Sequence, residues 1–131
     1  MRTIISIAAC ASIAAALALA AAPALANDLC GRPREAPEAL YERLTKTEKI
    51  EESFRDASYI ALNEAVKGTL WTFTVAGHPA HPSVVCRRPV EDGGKLRLEM
   101  SAQCNAPEAE CERLVRGFEN LNQQMLKELE K

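Results

Sequence analysis

Two histidines, a set of cysteines and a short run of arginines are the residues of this chain whose types and spacing suit chemistry. His78 and His81 are its only histidines, and each precedes a proline in Gly77-His78-Pro79-Ala80-His81-Pro82. A residue before proline is driven to extended or polyproline II backbone. With three residues per turn and a rise of ~3.1 Å, that conformation points positions i and i+3 the same way, about 9 Å apart. Both imidazoles then face one ligand, a transition metal if a third donor joins them. Without such a donor nearby in sequence, His78 and His81 are weak metal candidates, and no cofactor is expected. The prolines also lower the loop's unbound freedom, so it would dock on a partner with little entropy loss. His78, His81 and the neighbouring Trp71 are therefore the expected partner-binding residues. Joint replacement of the two histidines by alanine is expected to weaken binding and leave stability unchanged.

Arg87-Arg88-Pro89, with Arg97 on a following strand, offers a small basic strip, although cross-strand pairing with Glu91 or Glu99 is the plainer account. Carboxylates are plentiful, but nothing in their spacing marks an acid–base pair. Ser/His/Asp signatures, glycine-rich phosphate loops and HExxH are absent. The expected class is thus a non-enzymatic binding or accessory protein whose partner is another envelope protein. A metal or small-ligand binder acting through His78 and His81 is the first alternative, and a small carboxylate-based enzyme the second.

The cysteines point to a compartment. Residues 1–26 hold one charge, Arg2, and twelve alanines, and they close on Ala24-Leu25-Ala26, the small-x-small pattern read by signal peptidase. Cleavage after Ala26 leaves 105 of the 131 residues, enough for one modest domain, 27–131. A lipidated Cys10 is the competing reading, disfavoured because too short an apolar run precedes it. Cleavage removes Cys10 and leaves Cys30, Cys86, Cys104 and Cys111, the even count of a disulfide framework in a periplasmic protein. Arg2 is lost too, so 15 basic residues face 18 acidic ones, a net charge of −3 that attracts neither nucleic acid nor an anionic membrane. No later run approaches the ~18 apolar residues of a membrane span.

The elements that must position these residues follow from periodicity. Pro37 suits the first turn of a helix that carries Leu40, Tyr41 and Leu44 on one face. Thr45-Lys46-Thr47-Glu48 has capping-box spacing, so a second short helix carrying Ile50 and Phe54 is expected there. From Tyr59 the period falls to two: strands are expected over Tyr59–Leu62, Thr69–Val75, Ser83–Val90 and Lys95–Cys104. In the last hairpin, Glu91 opposite Lys95 around Asp92-Gly93-Gly94 would align Val84, Cys86 and Val90 with Leu96, Leu98 and Met100. Cys86 then lies opposite Met100 and Cys104 opposite Pro82, too far apart to bridge. Cys104 and Cys111 flank a strand-to-helix turn and can form a local bridge, which leaves Cys30 for Cys86. From Pro107, an apolar stripe of Cys111, Leu114, Val115, Phe118, Leu121, Met125 and Leu129 makes a long helix, with Asn120, Asn122, Gln123 and Gln124 on its wet side. The expected fold is α+β: N-terminal helix or helices, a four-stranded antiparallel meander and a long C-terminal helix packed on it, stapled by two disulfides.

Overall fold

Alternation in Leu70-Trp71-Thr72-Phe73-Thr74-Val75 makes a strand with two unlike faces, and the fold covers each face with a different end of the chain. The computed structural model describes residues 28–131; the leader, its cleavage after Ala26 and Cys10 lie outside the described residues. A two-stranded ribbon, β1 (Asp28–Leu29) and β2 (Arg32–Pro33), precedes α1 (Pro37–Glu42), which runs on into a π-helical turn over Arg43–Thr47. Five antiparallel strands follow in chain order: β3 (Glu52–Arg55), β4 (Tyr59–Glu64), β5 (Thr69–Thr74), β6 (Ser83–Asp92) and β7 (Lys95–Cys104). The 22-residue α2 (Glu108–Leu129) closes the chain. The fold is α+β as expected, with one strand more in the main sheet than the sequence suggested and a separate two-stranded ribbon besides.

That strand comes from the segment expected to be a second helix. Thr45 does not cap a new helix; its Oγ1 donates to the Tyr41 carbonyl at 2.8 Å inside the first one. Lys49, at φ 58°, then turns the chain out. Two apolar residues at i,i+4 hold an isolated helical turn poorly. The open edge of β4 instead offers a hydrogen-bonding ladder, and Glu52–Arg55 joins it with a register shift between Glu52 and Phe54.

The last hairpin also differs from expectation by one residue. Asp92 pairs with Lys95 around Gly93-Gly94, both at positive φ (59° and 82°), the backbone that a tight two-residue hairpin turn requires. Cys86 therefore lies opposite Ser101, not Met100, and Cys104 opposite Ser83, not Pro82. Because side chains alternate, this slip reassigns faces. Val84 and Cys86 look to one side with Ser101, while Val85 and Arg87 look to the other with Met100 and Ala102. The disulfides are unaffected: Cys30–Cys86 and Cys104–Cys111 form, with Cα separations of 6.2 and 5.8 Å.

One face carries Ile60, Leu62, Trp71, Phe73, Val84 and Cys86, and is roofed by Leu29, Leu40 and Leu44 from the N-terminal segment. On the other, Val85 packs with Leu114 and Phe118 of α2, and with partly buried Tyr59, Met100 and Ala102. The stripe of α2 outruns this contact, leaving Leu121 and Met125 each 41% exposed and Leu129 66% exposed. Asn122, assigned to the wet side from sequence, is buried. Five strands ~4.8 Å apart span about 19 Å, whereas one helix is about 10 Å wide. A single helix cannot roof this face, and the added strand β3 widens what is left open.

Candidate functional site

The histidine loop is held by its own structure. Backbone N–H groups of His78 and His81 donate to the carbonyls of Val75 and His78, at 3.1 and 2.9 Å. Two successive turns thus replace the polyproline geometry expected for this segment. His78 Nδ1 accepts the Ala80 N–H at 3.0 Å, its Nε2 bonds the Tyr59 hydroxyl at 3.1 Å, and its ring lies 5.0 Å from that of Tyr59. His81 Nδ1 lies 3.0 Å from the Thr74 carbonyl, to which it donates. Among the described residues no group of three or more His, Cys, Asp or Glu is placed to hold a metal ion.

Trp71 is fully buried on the opposite face of the sheet from Tyr59. Its Nε1 donates to Glu64 at 2.9 Å, and the same carboxylate accepts from Arg32 Nη2 at 2.8 Å. Arg32 also forms a fork with Glu48 at 2.8 and 2.6 Å, and its guanidinium lies 5.8 Å from the centre of the Trp71 ring. The Glu48 bond holds Arg32 further above its ordinary range, and the Arg32 bond in turn lowers Glu48. This network ties β2, the turn after α1 and the sheet together. The residues expected to form one docking surface, His78, His81 and Trp71, are not brought to one surface.

The arginine strip divides likewise. Arg88 pairs across the hairpin with Glu99, and Arg97 reaches Asp92 at 3.9 Å. Arg87 turns inward. It is 8% exposed, beneath α2, and its guanidinium lies 5.1 Å from the centre of the Phe118 ring. Both of its hydrogen bonds to described residues leave from Nη1, to Asn122 Oδ1 at 3.2 Å and Met125 Sδ at 3.7 Å. Nε is buried without an acceptor, and no ion pair to Arg87 forms among the described residues. Desolvation alone, uncompensated by any nearby carboxylate, pushes its pKa down.

Arg87 is part of the wall of the open groove on this face, a space of about 560 Å³ between α2 and strands β3 to β5. That size suits a small organic ligand. Phe54 and Leu121, 53% and 41% exposed, stand at the groove, with Leu70 and Leu114 also lining it. Tyr59 and Thr72 add hydroxyls. Gly117 of α2 lines the same space, and a Cβ built on it would meet nothing within 4 Å. The sequence did carry a signal for Arg87. Val84, Val85 and Cys86 in a row mark a strand covered on both faces, so the arginine beside them starts out under a cover. Parity turns only one of Arg87 and Arg88 outward, and reading the strip as a cross-strand partner of Glu91 or Glu99 left the inward arginine without an account. Comparison with protein-family models, curated proteins and solved structures finds no match to this chain.

Proposed function

We propose that this is an exported, non-enzymatic binding protein of the bacterial envelope, which takes up its ligand in the groove between α2 and strands β3 to β5. One observation carries the reading: a buried guanidinium with no ion-pair partner among the described residues stands in the wall of an otherwise largely apolar groove of small-ligand size. A charge of that kind is costly to bury and is tolerated where a ligand supplies its counter-ion. The lining provides binding chemistry, in the form of apolar walls, two arginines, of which Arg113 is paired with Glu110, and three hydroxyls. Two disulfides in so small a domain support passage into an oxidising compartment, the periplasm. No helix among the described residues is long and apolar enough to cross a membrane. The leader reading adds that the mature chain starts at Asn27, which N-terminal sequencing of protein recovered from the periplasm tests.

The groove assignment is tested by titrating isotope-labelled protein with a panel of small amphipathic compounds and following backbone amides by NMR. Shifts centred on Phe54, Leu70, Gly117 and Leu121 are expected. Shifts centred instead on Gly77–Pro82, or on the opposite face around Tyr41 and Phe73, would overturn it.

A further inference from the structure

We infer that the groove beside α2 binds a single-chain amphiphile headed by a carboxylate, a fatty-acid-like molecule, with Arg87 as the headgroup receptor and Gly117 as the residue that leaves room for the chain. The inference rests on the groove being the binding site. It adds the chemical class of the occupant.

Three features of the groove specify that class. The first is charge. Arg87 has no carboxylate partner among the described residues, so the group that completes it is an anion. The second is geometry. Nη1 is already committed to Asn122 and Met125, while Nε is left without an acceptor. Nε is itself buried, so Nη2 is the guanidinium nitrogen left to meet a ligand, and a carboxylate oxygen accepts a charge-assisted bond from it. The third is the shape and polarity of the remainder. Phe54, Leu70, Leu114 and Leu121 line the space with apolar surface, which suits an acyl chain and gives a second charge no favourable place. The other arginine at the groove, Arg113, is already paired with Glu110 at 2.7 Å. A one-headed amphiphile fits this arrangement better than a doubly charged ligand.

Gly117 is an independent observation pointing to the same space. Glycine inside a helix costs about 1 kcal/mol relative to alanine. Its φ lies outside the left-handed region, and an added Cβ would clash with nothing. Neither backbone conformation nor close packing therefore calls for glycine here. An open groove that has to stay open does.

The test uses the whole disulfide-bonded protein and decanoate as the probe, with decanol and decyltrimethylammonium as chain-matched controls, measured by calorimetry and thermal melting. Decanoate is expected to bind and to raise the melting temperature. Decanol should bind about tenfold more weakly or worse, because it forfeits the charge-assisted bond, and the cation should not bind. Arg87→Met is expected to lose decanoate affinity about tenfold without lowering the melting temperature, since it removes an uncompensated buried charge. Gly117→Leu should abolish binding of decanoate and decanol alike while the protein stays folded.

Equal affinity for decanoate and decanol, or wild-type affinity in Arg87→Met, would overturn the carboxylate assignment and leave the groove standing. Wild-type decanoate affinity in Gly117→Leu would overturn the groove itself, and with it the proposed function. Tight binding of an apolar peptide with a free C-terminus, but not of decanoate, would overturn the acyl chain as occupant. If Arg87→Met fails to fold, the headgroup series on the wild-type protein and the Gly117→Leu variant still decide.

Discussion

Arg32 is the residue through which the N-terminal ribbon reaches the core. Its guanidinium satisfies Glu64, whose side chain is only 8% exposed, and neutralises Glu48 at the same time. Replacing it by alanine leaves a carboxylate buried against Trp71 with Lys67, 3.6 Å away, as its nearest remaining cation. Breaking a buried pair from one side costs about 3 kcal/mol, and urea unfolding of Arg32→Ala should show a loss of that size. A loss below about 1 kcal/mol, the range of a surface pair, would mean the network is only decorative. Glu52 makes a different, pH-dependent contribution. It accepts from Arg55 and from the Tyr41 hydroxyl, and these bonds, Arg55 foremost, hold its pKa at about 2. The unfolded value is about 4.3, so the folded state binds fewer protons and is favoured above that pH. The contribution is lost as pH falls from about 4 to about 2. Thermal melts of wild type and Glu52→Gln should differ slightly at pH 7 and converge near pH 2. The side chain is a third exposed, so the difference is small, and a gap that widened in acid would refute the assignment.

Among the elements, the loop between β5 and β6 illustrates how local restriction misleads. Its prolines do stiffen it, but the turns they permit send His78 onto Tyr59 and His81 onto Thr74. Both rings are spent on internal hydrogen bonds, each worth about 1 kcal/mol. His78→Ala with His81→Ala should therefore lower stability by about 2 kcal/mol in urea unfolding, and should leave groove binding unchanged. Unaltered stability together with weakened binding would restore the loop as a recognition surface. The helix α2 shows the converse. Its stripe was legible from spacing, yet which part of the stripe is covered depends on the width of the sheet beneath. Leu114 and Phe118 are buried, whereas Leu121 borders the groove and Leu129 is exposed.

At the scale of the whole molecule, two covers of unequal security hold a five-stranded sheet. The N-terminal cover consists of short elements, a ribbon of two two-residue strands and a six-residue helix, that have little cooperativity of their own. Cys30–Cys86 fastens it, across a sequence separation of 56, whereas Cys104–Cys111 spans only 7. Loop-closure entropy assigns the long bridge about 4 kcal/mol and the short one about 2.5 kcal/mol. Paired serine substitutions should reproduce that order in urea unfolding, with Cys30→Ser/Cys86→Ser the more damaging. The reverse order, or a melt insensitive to full reduction, would show that the N-terminal cover is held by packing alone.

Much of this architecture was legible in the chain itself, because local rules act on neighbouring residues. Pro37 and Pro107 open helices, Trp71 and Phe73 alternate with threonines, and Cys104 and Cys111 flank a strand-to-helix turn that leaves Cys30 for Cys86. The α+β class and both disulfides follow from those features. Two further facts needed the tertiary structure. A pair of apolar residues at Ile50 and Phe54 reads equally well as a helical turn or a strand, and only the free edge of β4 decided for β3. A hairpin ending in Asp92-Gly93-Gly94 closes with two loop residues or three, and that single residue moves Met100 to the side of Arg87, while the placement of α2 over that side is what buries Arg87. Burial is a property of what lies opposite, not of the residue, so the groove and its buried arginine came into view only when strand and helix were placed together.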